Sequence, residues 1–294
     1  MPARRRARQR SCRGREGPHG RSGPGAGLGQ HFLRHGALCA ELVSASSIRA
    51  TDAVVEIGPG RGALTRALLR RAGHVTAVEL DPRLCEALAA RLGPSPRLRV
   101  VQADFLEWPL PRGPYKVFAN VPFARTSAIV RRLTGARPAP RDVHLVVERG
   151  AALRFAGRPY ADETLRSLLL APWWHVEVLR ELRPTDFEPP PSVPAALLWL
   201  APRKRPLVDA AQAPLYRAFV RTARARRAAS VRRALRGLLT PAQLRREARL
   251  LRFDRDAPVA SLGFRQWLGL FRGFAARADG AVRARLVEGR ASRR

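Results

Sequence analysis

The sequence predicts an α/β fold: an open, mostly parallel sheet with helices on both faces, followed by a small all-helical domain. Three observations lead there. Short β-branched runs alternate with apolar residues at helical spacing from Ala53 to Leu170, the pattern of stacked βαβ units. A glycine-rich turn, Gly58-Pro59-Gly60-Arg61-Gly62, lies directly between the first run and the first following helix pattern. Beyond Pro206, apolar residues recur only at helical spacings.

The elements follow in order. Residues 1–26 are rich in Arg, Gly, Pro and Ser and are expected to be disordered in isolation. Order is expected from Gly27-Leu28-Gly29-Gln30-His31-Phe32-Leu33, followed by an amphipathic helix from Ala37 to Val43. Strands are predicted at 53–57, 75–80, 98–103, 116–119 and 143–147, each a short apolar run. Between the first two strands, Leu64, Leu68 and Leu69 mark a helix that Gly73 stops. Pro82 at a first helical position opens another, through Leu92. Thr126–Leu133 and Thr164–Leu170 also read as helices. His175–Leu182 alternates at period two and Ala195–Leu200 is apolar, so these two are expected to pair antiparallel at the sheet's edge. The sheet domain thus covers 27–202, and Pro202–Pro206 is a charged linker. A helical domain covers 207–275, with Thr240-Pro241 as N-cap and N1. Residues 276–294 are expected to be a loose basic tail.

The 294 residues carry a formal net charge of +32, and all but Lys116 and Lys204 of the 55 basic residues are Arg. Such a charge calls for a polyanionic partner, most simply nucleic acid. It is concentrated at the ends, with eight Arg against Glu16 in residues 1–26 and 24 basic against 6 acidic residues in 203–294. A nearly balanced centre flanked by basic pieces reads as a catalytic domain with nucleic-acid-gripping appendages. Cys12, Cys39 and Cys85 are odd in number and far apart, giving neither a disulfide framework nor a metal motif. No metal, no membrane span and no signal peptide is expected, and the cytoplasm is the expected compartment.

Four strand ends carry the chemistry. Glycines between a strand and a helix let the backbone approach a ligand closely, which singles out Gly58 and Gly60. Glu79 follows Gly58 by 21 residues, where an acid can hydrogen-bond ribose hydroxyls. These two features serve a nicotinamide cofactor and S-adenosylmethionine equally well. Asp104 ends the third strand, where it can accept from an adenine amine. Asn120-Val121-Pro122-Phe123 ends the fourth. The Asn oxygen and a carbonyl preset by Pro122 can accept from an exocyclic amine, and Phe123 offers a stacking face. Taken alone, this tetrapeptide fits a plain turn equally well. Four polar ends converging on one crevice make the stronger signal.

Together with Gly29-Gln30-His31-Phe32-Leu33, Glu56-Ile57-Gly58-Pro59-Gly60, Gln102-Ala103-Asp104 and Phe187-Glu188-Pro189-Pro190-Pro191-Ser192-Val193, these motifs resemble the Erm-type rRNA adenine N6-methyltransferases, relatives of the small-subunit rRNA dimethyladenosine transferases. The resemblance covers about residues 27–275. It implies a Rossmann-like, class I S-adenosylmethionine-dependent methyltransferase sheet and a helical rRNA-binding domain. It also implies a monomer whose partner is 23S rRNA, methylated at one adenine of the peptidyl-transferase loop with macrolide resistance as the consequence. Carried over, His31, Leu33, Gly58, Gly60, Glu79, Asp104 and Asn120 contact the cofactor, while Asn120, Pro122 and Phe123 hold the flipped adenine. Val121 and Phe123 depart from the family's usual Leu/Ile and Tyr. Phe keeps the stacking face and loses a hydroxyl, leaving open whether one methyl or two are added. Pro194-Ala195 stands where relatives tend to carry Asp-Ser.

Other readings stay open at this point. A small-subunit rRNA dimethyltransferase is the nearest, although the 16-residue spacing from Asp104 to Asn120 and the Arg-rich N-terminal segment favour the Erm side. A DNA adenine methyltransferase would be expected to add a sequence-reading domain. An RNA-binding assembly factor with a decayed site sits poorly with the intact Gly58, Glu79, Asp104 and Asn120.

Overall fold

A computed structural model describes residues 31–226 and 229–289. The Arg-rich segment 1–26, and Gly29 and Gln30 of the N-terminal motif, lie outside the described residues. One seven-stranded sheet organises the chain up to residue 202. In sequence order its strands are β2 (Ala53–Ile57), β3 (His74–Glu79), β4 (Leu98–Gln102), β5 (Lys116–Asn120), β6 (Asp142–Glu148), β7 (Trp174–Leu182) and β9 (Ala195–Pro202). In space the order is β4-β3-β2-β5-β6-β9-β7. The first five are parallel, and β9 runs antiparallel to both neighbours. The strand order reverses between β2 and β5, the switch point outside whose carboxyl ends a crevice opens. The α/β class and the antiparallel edge pair are thus as the sequence predicts.

Helices α1 (Gly36–Ser44), α2 (Ala63–Arg71), α3 (Pro82–Leu92) and α4 (Thr126–Gly135) occupy the predicted places. The start of α3 shows why: Asp81 accepts from the Arg83 N–H at 2.9 Å while Pro82 needs no donor. Leu64 and Leu68 of α2 bury one sheet face with Val54, Val75 and Phe118. Ile129, Val130 and Leu133 of α4 bury the other with Val117, Leu145 and Leu198.

Three features escape the sequence reading. A two-residue strand β1 (Phe32–Leu33) pairs antiparallel with β8 (Phe187–Glu188), and both are too short to show a period. Helix α5 (Arg149–Ala156) buries only Ala151, Ala152 and Phe155, a set with little periodic signal. Helix α6 (Leu165–Leu170) was expected. Helix α11 (Gly280–Glu288) lies where a loose tail was expected. Asp279 caps it by accepting from the Ala281 N–H, and Val282 and Leu286, four residues apart, pack against the neighbouring helices.

Helices α7 (Ala213–Ala225), α8 (Val231–Ala234), α9 (Pro241–Leu251) and α10 (Phe264–Arg277) enclose a separate core. Tyr216, Phe219, Trp267, Phe271 and Phe274 fill it, and Leu168 of α6 enters it from the sheet side. The expected N-cap is present: Thr240 accepts from the Gln243 N–H at 3.2 Å, and Gln243 accepts from the Thr240 N–H at 2.8 Å. The buried Tyr216 hydroxyl donates to the Leu168 carbonyl at 2.8 Å, tying α7 to α6.

Tyr216→Phe leaves that carbonyl buried and unpaired. Chemical denaturation is expected to show a loss of about 1–3 kcal/mol, with S-adenosylhomocysteine affinity unchanged. Undiminished stability would mean that this bond does not help hold the two parts together.

Candidate active site

The crevice at the switch point has a volume of about 660 Å³, within the range of small-molecule sites. The structure gathers His31, Gly58, Gly60, Glu79, Asp104, Asn120, Pro122 and Phe123 along its lining. Leu33 stands apart. Its side chain is buried among Leu38, Leu42 and Phe187, and it lines a smaller adjoining cavity with Glu56, Gly58 and Asn120.

The glycine turn is locally determined. Gly58 donates its N–H to the Val78 carbonyl at 2.9 Å, tying the turn to β3. Gly60 has φ +52°, and a Cβ there would run into the Phe32 ring, so a side chain at this position is strained and would push the aromatic aside. The Arg61 guanidinium covers the same ring, 5.0 Å from its centroid.

Glu79 ends β3 and is only 4% exposed. Its carboxylate accepts main-chain N–H groups from Gly60 (3.1 Å), Leu80 (2.8 Å) and Asp81 (3.1 Å). Three of roughly four acceptor positions are taken. One remains on the oxygen facing the glycine turn, enough for a single hydroxyl donor. Apolar side chains flank the space beyond, and Leu80 stands 46% exposed at its edge. A flat ring in that slot would cover it.

Asp104, just past β4, accepts from the Leu106 N–H at 2.9 Å. Arg125 Nη1 donates to both of its oxygens, at 3.0 and 2.9 Å. The Arg125 guanidinium, followed by the Leu106 bond, holds the Asp104 carboxyl below the usual carboxylate range.

Asn120 ends β5 with its orientation fixed. Its Nδ2 donates to the His31 main-chain carbonyl at 2.7 Å. A carbonyl cannot donate, so the nitrogen must point there and Oδ1 is left as an acceptor at the crevice. Pro122 follows at φ −56°, ψ 124° and leads into a 3-10 turn, Phe123–Arg125. The Phe123 ring lies against the His31 ring, centroids 5.8 Å apart and tilted 37°. His31 Nδ1 meets the Pro189 carbonyl at 2.8 Å. Nδ1 therefore carries the proton, and in the neutral ring Nε2 is the acceptor.

Two residues at or beside the crevice are given no role by the sequence reading. Arg125 is one; its only sequence signal is a cation two residues past the aromatic. Glu56 is the other: it appears in the β2 motif, yet motif spacing says nothing of its environment. It is 1% exposed, and neither of its oxygens has a hydrogen-bond partner among the described residues. Burial pushes its carboxyl up to about 8, with Glu79 adding to the rise and the neighbouring Thr65 hydroxyl opposing it. Among the described residues no cluster of His, Cys, Asp and Glu could hold a metal, and no helix is long and apolar enough to cross a membrane.

Known proteins resemble the chain over most of its length. Residues 26–275 match the sequence profile of the family described as "Ribosomal RNA adenine dimethylase". A "Ribosomal RNA small subunit methyltransferase A" of Thermosynechococcus vestitus is 34% identical over 83% of this chain and 94% of its own. A "Probable ribosomal RNA small subunit methyltransferase A" of Methanopyrus kandleri is 40% identical over 62% of this chain and 66% of its own. An "rRNA adenine N-6-methyltransferase" of Bacillus licheniformis is 28% identical over 83% of this chain and 84% of its own. The crystal structure of the 23S rRNA methyltransferase ErmE superposes with a TM-score of 0.77 at 28% identity, covering 83% of this chain and 99% of that one.

The buried Glu56 makes stability depend on pH. With its native value raised from 4.5 to about 8, the unfolded state releases its proton first. Stability therefore falls as pH rises from about 4.5 to 8 and levels off above. Glu56→Gln is expected to relieve this, raising the unfolding free energy measured by chemical denaturation little at pH 5 and more at pH 8, by an amount on the order of a few kcal/mol. An equal effect at both pH values would show that Glu56 is already ionised in the fold.

Proposed function

This chain belongs to the ribosomal RNA adenine dimethylase family and is an S-adenosylmethionine-dependent rRNA adenine methyltransferase; within that activity we propose that it methylates N6 of one adenine in the peptidyl-transferase loop of 23S rRNA. One observation carries the choice of target: the solved structure that superposes at a TM-score of 0.77 and 28% identity is that of a 23S rRNA methyltransferase. The short loop between Asp104 and Asn120 supports it. A second reading, a small-subunit rRNA dimethyladenosine transferase, is favoured by the higher identity to the two relatives named for the small subunit.

The crevice fits the cofactor. The Gly58–Gly60 backbone comes close to it, with main-chain groups of His31 and Leu33 beside. The remaining acceptor of Glu79 takes a ribose hydroxyl, Asp104 takes the adenine amine, and the apolar slot at Leu80 takes the ring. When bound, the cofactor supplies an electrophilic methyl on a sulfonium.

The chain's part is positioning. The N6 lone pair of adenine is delocalised into the ring, which makes it a weak nucleophile. Asn120 Oδ1 accepts one N6 hydrogen and the carbonyl preset by Pro122 accepts the other, which turns the lone pair toward the methyl. Phe123 stacks on the flipped base and offsets part of the cost of unstacking it. Alignment and electrostatic fit then supply much of the rate. The helical part, 207–275, grips rRNA through phosphates while the crevice selects an unstacked base. A methylated N6 has fewer donors and more bulk, so a macrolide packed beside it loses a hydrogen bond and clashes; expression in a sensitive bacterium raises resistance.

Asn120→Ala should abolish turnover while leaving RNA affinity nearly intact, because its contribution is alignment at the reacting nitrogen. Phe123→Ala should lose most activity, with about 1–3 kcal/mol of base stacking gone, and Phe123→Tyr should stay active. Wild-type rates for Phe123→Ala would remove the stacking role. The target itself is tested with labelled cofactor offered to protein-free 23S rRNA and, separately, to immature small subunits. Label is expected in 23S rRNA; label in the small-subunit RNA alone would select the second reading.

A further inference from the structure

The carboxylate proposed to read the cofactor's adenine is covered by a side chain of the same protein. Arg125 Nη1 straddles both oxygens of Asp104, at 3.0 and 2.9 Å, while the Leu106 N–H holds Oδ1 from behind. Three of its roughly four acceptor positions are thus occupied and the guanidinium lies across both oxygens, so an incoming amine must compete with Arg125 for the carboxylate. Arg132, the other nearby guanidinium, donates to the Leu106 and Trp108 carbonyls and is not free to take this place. The Arg125–Asp104 pair is partly exposed, the Arg side chain 41% and the Asp 24%, so opening it is cheap in free energy.

Position puts Arg125 at the rim of the crevice, beside the stacking residue. It ends the 3-10 turn that begins with Phe123, and both residues line the crevice. A nucleotide stacked on Phe123 brings its own phosphates to this rim. The guanidinium is a bidentate phosphate donor once it leaves Asp104.

We propose that Arg125 couples the two substrates: it caps Asp104 while the cofactor's adenine is absent, and when the adenine amine displaces it, it binds a phosphate beside the target adenine. The proposal rests on the assignment of Asp104 to the cofactor's adenine made above, and on either rRNA as target. Cofactor binding then strengthens RNA binding, and by linkage RNA strengthens cofactor binding by the same factor. The productive order is cofactor first, which keeps the enzyme from occupying rRNA with no methyl to give.

The test uses the full-length protein, wild type and Arg125→Gln, with Arg125→Lys as a variant that keeps the cation. S-adenosylhomocysteine affinity is measured by calorimetry without RNA, which makes this arm independent of which rRNA is the target. Removing the cap in Arg125→Gln is expected to tighten it about two- to fivefold, the strength of a partly exposed pair. Affinity for protein-free 23S and 16S rRNA fragments is then measured with and without saturating S-adenosylhomocysteine across a salt series. In the wild type the ligand is expected to tighten binding to the preferred fragment by a similar factor. It should also steepen the log–log salt dependence by about 0.7–0.9, one added phosphate contact. Arg125→Gln should lose both effects and Arg125→Lys should keep them in part. Unchanged or weaker S-adenosylhomocysteine binding in Arg125→Gln, coupling that survives there, or coupling lost equally in Arg125→Lys would each overturn the proposal. A preference for the 16S fragment with coupling intact would instead leave this inference standing and move only the target.

Discussion

The amide of Asn120 donates to the main-chain carbonyl of His31 at 2.7 Å, and the geometry of the crevice depends on that bond. An amide at the end of a central strand can turn either edge outward, and the two edges have opposite chemistry. Here a carbonyl from the start of the described chain fixes the choice. That carbonyl is held in turn. β1 pairs with β8, the His31 ring meets the Pro189 carbonyl, and Arg61 reaches Glu188 at 3.5 Å. Two short segments more than 150 residues apart thus form a strap across the switch point. Loosening it would free the acceptor that faces the crevice.

Two kinds of acid stand in and beside the crevice, Glu79 in its lining and Glu56 in the smaller adjoining cavity. Glu79 is nearly buried but collects three main-chain N–H donors, which take the place of the water it has lost. Glu56 is buried as deeply and meets no donor among the described residues, so its neutral form is favoured. The end of β3 therefore keeps an acceptor for a hydroxyl, while burial in the neighbouring β2 disfavours a second charge close by. Asp104 stands between these cases, partly exposed and balanced by Arg125.

Much of the fold was legible in the sequence. β2, β3, β5 and β6 are short runs rich in apolar and β-branched residues that alternate with helix patterns, as buried parallel strands do, and the glycine turn after β2 fixes where the sheet meets a ligand. The polar ends at Glu79, Asp104 and Asn120 could be placed because strand and loop lengths bring them to one side. What stayed hidden depends on contacts without local signature. The partner of Asn120 is a main-chain atom, which has no letter in a sequence. β1 and β8 are too short for a period, and α5 buries mainly alanines. Arg125 looks like one more arginine in a chain where nearly all cations are arginine; only the fold brings it to Asp104. Leu33 sits in the right motif, but strand alternation turns its side chain into the core. The tail after 275 read as loose because Val282, Leu286 and Val287 are the only large apolar residues of its helix and carry a weak pattern, whereas packing on existing helices is enough to order it.

The central claim is that four strand ends, with Asn120 oriented by His31, form one S-adenosylmethionine site whose methyl is delivered next to the Asn120 oxygen. A crystal structure with S-adenosylhomocysteine bound measures this most directly. The account predicts the adenine in the slot at Leu80 with its amine at Asp104, a ribose hydroxyl on Glu79, the sulfur directed toward Asn120 and Pro122, and the Asn120 nitrogen still on the His31 carbonyl. Ligand density elsewhere, or an Asn120 amide turned with its nitrogen into the crevice, would contradict it.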